Sequence, residues 1–173
     1  SMGSVRVNYK WKGIKKTQRS FGHMARRAQN FAPAYRWARR ELRQWNAANF
    51  ASDGVASGKK WNELDTEYHS WKIAHYGSLP TMVRTGDLYR DLITLRGRAN
   101  HIGHKNASFG TDIEYAKFHQ TGTRFMPKRK IVFTPKRFSE KLGERLLDYV
   151  VYGMPGTRAY KKLKAQATRA RTF

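Results

Sequence analysis

The chain has 173 residues, enough for one domain with a real core, and no cysteine, which excludes disulfides and thiolate metal sites. Its 35 Lys and Arg stand against 12 Asp and Glu, a net charge of +23, and an aromatic share of 13% points to a folded centre rather than a disordered polycation. No apolar run approaches the roughly 18 residues of a membrane span and no apolar signal core follows the N-terminus, so a soluble protein made in a cytoplasm is expected.

Charge divides the chain. Residues 1–43 hold twelve basic side chains and one acid (Glu41), and residues 156–173 hold six basic side chains and no acid. The middle, 44–155, is closer to an ordinary globular surface, with seventeen basic and eleven acidic residues. Polycationic ends neutralise phosphates or dock on acidic protein surfaces. The expected plan is a basic arm over 1–20, a single α+β domain over 21–153 and a basic C-terminal tail over 154–173.

In chain order, Val5, Val7, Tyr9 and Trp11 alternate with polar residues, the pattern of a strand or an arm that joins a neighbour's sheet. Residues 21–50 read as helical, with Ser20 as a first cap and Pro33 opening a second helix. There Ala34, Ala38, Leu42 and Trp45 make one apolar stripe, opposed by Arg36, Arg39, Arg40 and Arg43. Residues 52–58 are a loop by composition. Trp61, Leu64, Tyr68 and Trp71 follow at helical spacing, and Gly77 and Pro80 turn the chain. Short strands are expected over 87–95, 100–111 and 131–133, and a helical turn over 113–121 that ends at Gly122. A last helix over 138–151 carries Leu142, Leu146, Tyr149 and Val150 on one face. The fold class is α+β: a long N-terminal helical segment, a small antiparallel sheet with short helices, a C-terminal helix and a basic tail.

Little of the sequence points to catalysis. His101-Ile102-Gly103-His104 resembles the nucleotide-binding tetrapeptide of class I aminoacyl-tRNA synthetases, but the companion lysine-rich signature is missing. On a strand, positions 101 and 104 point to opposite faces. The carboxylates of Asp87 with Asp91, and of Asp112 with Glu114, are two close pairs that a metal nuclease would use, without a third acid and lysine in a recognisable order. Salt partners for a chain rich in arginine are the plainer reading, and no catalytic, metal or cofactor residue is assigned.

Three segments speak more clearly. Trp61, Leu64, Tyr68 and Lys72 form the first, and Thr85-Gly86-Asp87-Leu88 lies at the centre of the second. The third holds Gly110-Thr111, Tyr115-Ala116, His119-Gln120 and Gly122, followed by Pro127 and Arg129. In this order and spacing they resemble the phage virion morphogenesis (tail completion) family of Mu G-like and P2 S-like proteins, to which lambdoid tail-component proteins are related. The likeness runs over about 61–137, and Asp91 stands where the family has Ser.

The resemblance implies a structural virion protein, made in the bacterial host, that completes the tail or neck at the head–tail junction without being an enzyme. It implies a homo-oligomeric ring, expected to be a hexamer, docked on tail-tube and connector proteins, with no cofactor and no membrane. The ring interface is expected on the 61–71 helix, the 91–111 hairpin and the N-terminal arm. Lys10, Lys12, Lys15, Lys16, Arg36, Arg39, Arg40, Arg43, Arg158, Lys161, Lys162 and Lys164 are candidates to meet genomic DNA in the lumen or an acidic partner. The alternative is a basic nucleic-acid-binding module that contacts phosphates without sequence specificity, with aromatics such as Trp11 and Trp37 stacking among the cations.

Overall fold

The structure is a computed structural model that describes residues 14–170. The described residues form seven helices and one two-stranded antiparallel sheet, an α+β fold: α1 (Ile14–Ala28), α2 (Ala32–Ala51), α3 (Thr66–Tyr76), α4 (Asp87–Thr94), β1 (His101–Ile102), β2 (Ala107–Ser108), α5 (Ala116–Thr121), α6 (Lys136–Tyr152) and α7 (Arg158–Ala170). A single 3-10 turn, Val55–Ser57, follows α2. Two compact units result, one over Asn30–Leu147 and one formed by the two ends of the chain, up to Gln29 and from Asp148. The expected strand pattern at residues 5–11 lies outside the described residues, as do Lys10 and Lys12.

The central unit is organised by α2. Asn30 Oδ1 accepts from the Ala32 amide, and Pro33 sits in the first turn, where a missing N–H costs nothing. Ala34 and Ala38 are buried as the stripe requires, while Leu42 and Trp45 are only half-buried. The same side of the helix continues through two buried amides. Asn46 donates to the Leu92 carbonyl (2.8 Å), and Asn49 donates to the Lys130 carbonyl while accepting from the Ser57 amide (3.1 Å each). These polar core groups are tolerable because each has a partner. Around them Phe50, Trp61, Met82, Leu88, Leu92, Ala116 and Ile131 make the hydrophobic core.

Several expectations about local structure are corrected. Residues 87–94 are a helix, not a strand: Leu88, Leu92 and Leu95 recur at i, i+4 and i+7, so a helix buries all three where a strand would split them. Gly86, at φ +85°, admits the sharp turn into α4. The expected strand over 100–111 shrinks to two residue pairs, His101 with Ser108 and Ile102 with Ala107, so the hairpin is 101–108 and not 91–111. Among the described residues, 131–133 pair with no strand. Instead the Gln120 side chain bonds them, Oε1 accepting from the Ile131 and Val132 amides (2.9 and 3.0 Å) and Nε2 donating to the Val132 carbonyl (2.8 Å). One side chain thus takes the place of a strand edge.

Trp61 and Leu64 precede α3 rather than lie on it, because Asp65 caps the helix by accepting from the Glu67 and Tyr68 amides. Ser20 is no cap. It lies inside α1 with its hydroxyl donating to the Lys16 carbonyl. Gly122 does end α5, at φ +79°, and a Cβ there would lie 3.0 Å from the Lys128 backbone nitrogen.

In the terminal unit, Arg27 donates from Nε to the Val150 carbonyl (2.7 Å) and from Nη2 to the Val151 carbonyl (2.8 Å), meeting the open C-terminal carbonyls of α6. Residues 158–170, within the expected basic tail, form the helix α7. Tyr160 donates to Asp148 Oδ2 (2.8 Å), and Lys164 pairs with the same carboxylate, which raises the lysine pKa.

Candidate functional site: a cation-floored cavity

The three sequence segments converge in space. Ten of the residues singled out from sequence, Leu64, Tyr68, Lys72, Thr85, Gly86, Leu88, Tyr115, His119, Pro127 and Arg129, line one cavity of about 490 Å³ in the central unit. Six more, Trp61, Gly110, Thr111, Ala116, Gln120 and Gly122, hold its walls in place. Trp61 is buried with its ring edge-on to Phe50 (centroids 5.4 Å) and Nε1 donating to the Lys130 carbonyl (3.1 Å). Ala116 is buried in the core. Gly110 exchanges two hydrogen bonds with the Asn100 side chain, and the Thr111 hydroxyl accepts from the Ile113 amide. Gln120 and Gly122 fix the chain on either side of the 123–128 turn, as described above.

The floor is cationic. Lys72 is the one buried residue of α3, and its ammonium donates to the carbonyls of Leu79, Pro80 and Thr81 (3.2, 2.6 and 3.3 Å). Burial lowers its pKa, and the charge of Asp53 opposes that effect. Arg129, also buried, donates to the carbonyls of Asn62 (3.0 Å) and Glu63 (2.9 Å). Burial lowers its pKa as well, with Tyr68 acting the other way. These two side chains tie the 62–63 segment and the 79–81 turn to the rest of the unit by charge-assisted hydrogen bonds.

His119 stands one turn from Tyr115 with the rings edge-on, centroids 6.1 Å apart. Burial first, and the nearby Arg129 guanidinium second, lower its pKa and so favour the neutral imidazole. Its Nδ1 is buried with no hydrogen-bond partner among the described residues. Among the described residues no three His, Asp or Glu side chains gather as a metal-ligand set. Asp87 pairs with Arg90, Asp112 with Arg98 and Glu114 with Lys117. Asp91 fills the space left by Gly97, where a Cβ would lie 2.5 Å from Oδ1. The aminoacyl-tRNA synthetase-like tetrapeptide is a hairpin corner, with the His104 carbonyl accepting from Phe31 near the start of α2 (2.8 Å).

A family model described as the phage virion morphogenesis family matches residues 13–147. The chain belongs to that family. It is also 34% identical over 94 residues to the Mu-like prophage FluMu G protein 1 of Haemophilus influenzae, a stretch that covers 51% of this chain and 58% of that protein. No solved structure matches. Family membership makes the protein a structural component in virion morphogenesis, made in the host cell. Among the described residues no helix is long and apolar enough to cross a membrane.

The basic candidates among the described residues lie on three helices. Lys15 and Lys16 lie exposed on α1, and Arg158, Lys161, Lys162 and Lys164 on α7, where Lys164 is bound to Asp148. Arg36, Arg40 and Arg43 are exposed on α2 and Arg39 is half-buried. Arg43 is partly engaged by the Ile93 carbonyl (2.7 Å). Sequence reasoning did not assign Met82, Arg84, Tyr89, Phe125 or Met126 to the site, though all line the cavity. A signal existed for Phe125-Met126: two large apolar residues in a polar turn just before Pro127 have no core to enter.

Proposed function

We propose that the protein completes the tail at the head–tail junction by assembling into a closed ring, about sixfold, that docks on tail-tube and connector proteins, and that it acts by assembly rather than catalysis. The observation that carries this reading is α3. Of its eleven residues only Lys72 is buried, while Tyr68, Trp71, Ile73 and Tyr76 are 40–44% exposed. Tyr68, His75 and Tyr76 gather around the Trp71 ring, with centroids 4.7 to 5.7 Å away. A helix that shows this much aromatic surface to water is an interface awaiting its partner. A ring repeats one heterologous contact, so α3 needs a different surface on the neighbouring copy.

The basic helices give a second contact. Neither α1 nor α7 carries an acidic residue. Facing the lumen, they would neutralise DNA phosphates without reading sequence, and the binding would weaken steeply with salt. Light scattering on the purified chain at low and high salt, with and without short duplex DNA, tests both parts. A discrete oligomer near six copies that survives high salt supports the ring. A monomer that binds duplex DNA with a steep salt slope replaces it with the nucleic-acid-binding module.

A further inference from the structure

The cavity has its own chemistry, and shares Tyr68 with the α3 face. Its volume of about 490 Å³ is enough for one large side chain and its flanking backbone. Leu64, Met82, Leu88 and Met126 give it an apolar interior. At its mouth Tyr68, Tyr115 and Phe125 are 40%, 41% and 91% exposed, the aromatic setting in which binding hot spots are found.

Among the described lining residues three cations outnumber one carboxylate. Lys72, Arg84 and Arg129 line the cavity and none of them forms a salt bridge among the described residues. The single carboxylate in the lining, Asp65, is engaged in capping α3. Arg84 is exposed, so an arriving anion meets it without displacing an internal bond.

We propose that this cavity is a socket for an acidic segment of a different protein, a segment that seats one aromatic side chain among the apolar walls and sets a carboxylate beside Arg84. Charge complementarity selects this occupant. The ends of a second copy of this chain are polycations and would be repelled by the socket. A nucleic-acid strand is anionic, but it is held by rows of exposed cations, whereas two of the three cations here are buried and bonded to carbonyls. The inference deepens the assembly reading and rests on it only for the partner's place in the particle.

The test is fluorescence anisotropy of a labelled synthetic peptide, one Phe flanked by Asp and Glu, titrated with the full chain. Binding is expected to weaken about tenfold or more when the acids become Asn and Gln, when the Phe becomes Ala, or when the protein carries Arg84→Glu. Because Arg84 is exposed, the variant keeps its unfolding transition, which is checked in parallel. Equal binding of a Lys-flanked peptide, no binding of any peptide, or displacement by a single-stranded oligonucleotide would each overturn the proposal. So would a crosslink that places a second copy of this chain in the cavity. Light scattering separates the two readings. A monomer that binds the acidic peptide overturns the ring and supports the socket, and an oligomer that binds no peptide supports the ring and overturns the socket.

Discussion

In the central unit Lys72 and Arg129 are buried and give their N–H groups to backbone carbonyls, whereas on α1 and α7 most of the same residue types stand in solvent. The difference lies in where the charge is needed. Inside, two cations replace secondary structure: they satisfy carbonyls of the 62–63 segment and the 79–81 turn that no strand among the described residues reaches, so each is a strut whose removal leaves acceptors without donors. Outside, a cation contributes little to the fold and is free to meet a partner. Equal residue types in the sequence therefore conceal two classes, one read out as stability and one as salt-dependent binding.

The sharpest way to break the comparison is in the apolar frame that positions the inner class. Trp61→Ala removes a ring buried against Phe50 and the bond to the Lys130 carbonyl, and is expected to cost about 3–5 kcal/mol in urea unfolding. Gly54→Ala acts on the same packing from the other side. At φ +91° a new Cβ would lie 2.4 Å from the Trp61 ring. A Trp61→Ala chain that unfolds at the parent's urea midpoint would mean that the core is organised elsewhere.

Gln120→Ala comes next. It leaves the Ile131 and Val132 amides without their acceptor, for an expected loss of about 1–3 kcal/mol, and Lys72→Met is expected to fall in the same range by stranding three carbonyls. Both losses should persist in high salt, since they arise from unmet hydrogen bonds and not from screened charge. Unfolding curves at low and high ionic strength check this, and a loss that vanishes in salt would place these side chains in the outer class.

The same contrast explains what the sequence made legible. Position-specific residues were readable where one local requirement fixes them: Pro33 at a helix start, Gly122 at a helix end, Tyr115 and His119 one turn apart. The 87–94 segment was misread because Leu88, Leu92 and Ile93 fit a short strand as well as a helix until Leu95 is counted on the same buried face. The 131–133 segment has the composition of a strand, and nothing local reveals that its partner is a side chain eleven residues back. The cavity was half visible: its motif residues could be named, but their convergence depends on buried Lys72 and Arg129, whose long side chains look like surface charge in a chain of +23.

His119 offers a smaller effect with a definite sign. Its folded pKa lies below the ordinary 6.5, through burial and then Arg129. The unfolded chain therefore binds the proton more readily, and the stability His119 contributes is present above about pH 6.5 and lost as pH falls through the folded value. Unfolding free energies measured from about pH 7.5 down to about pH 5 should fall more steeply for the parent than for His119→Gln, which cannot titrate. Parallel pH profiles would show that the imidazole is open to water in the folded protein.

The smallest effect on the fold belongs to the outer class, and there the comparison turns around. Lys161 and Lys162 are exposed on α7 and make no salt bridge among the described residues. Changing both to Gln is expected to move unfolding by less than about 0.5 kcal/mol. If α7 faces DNA, the same change lowers the slope of log affinity against log salt by about 0.9 for each phosphate that is no longer neutralised. A double variant with unchanged stability and an unchanged slope would remove α7 from the DNA-facing surface and leave an acidic protein as its partner. In that case the charge of the terminal helices and the charge of the cavity would answer to the same chemistry, acidic side chains met once at an exposed helix and once in a socket.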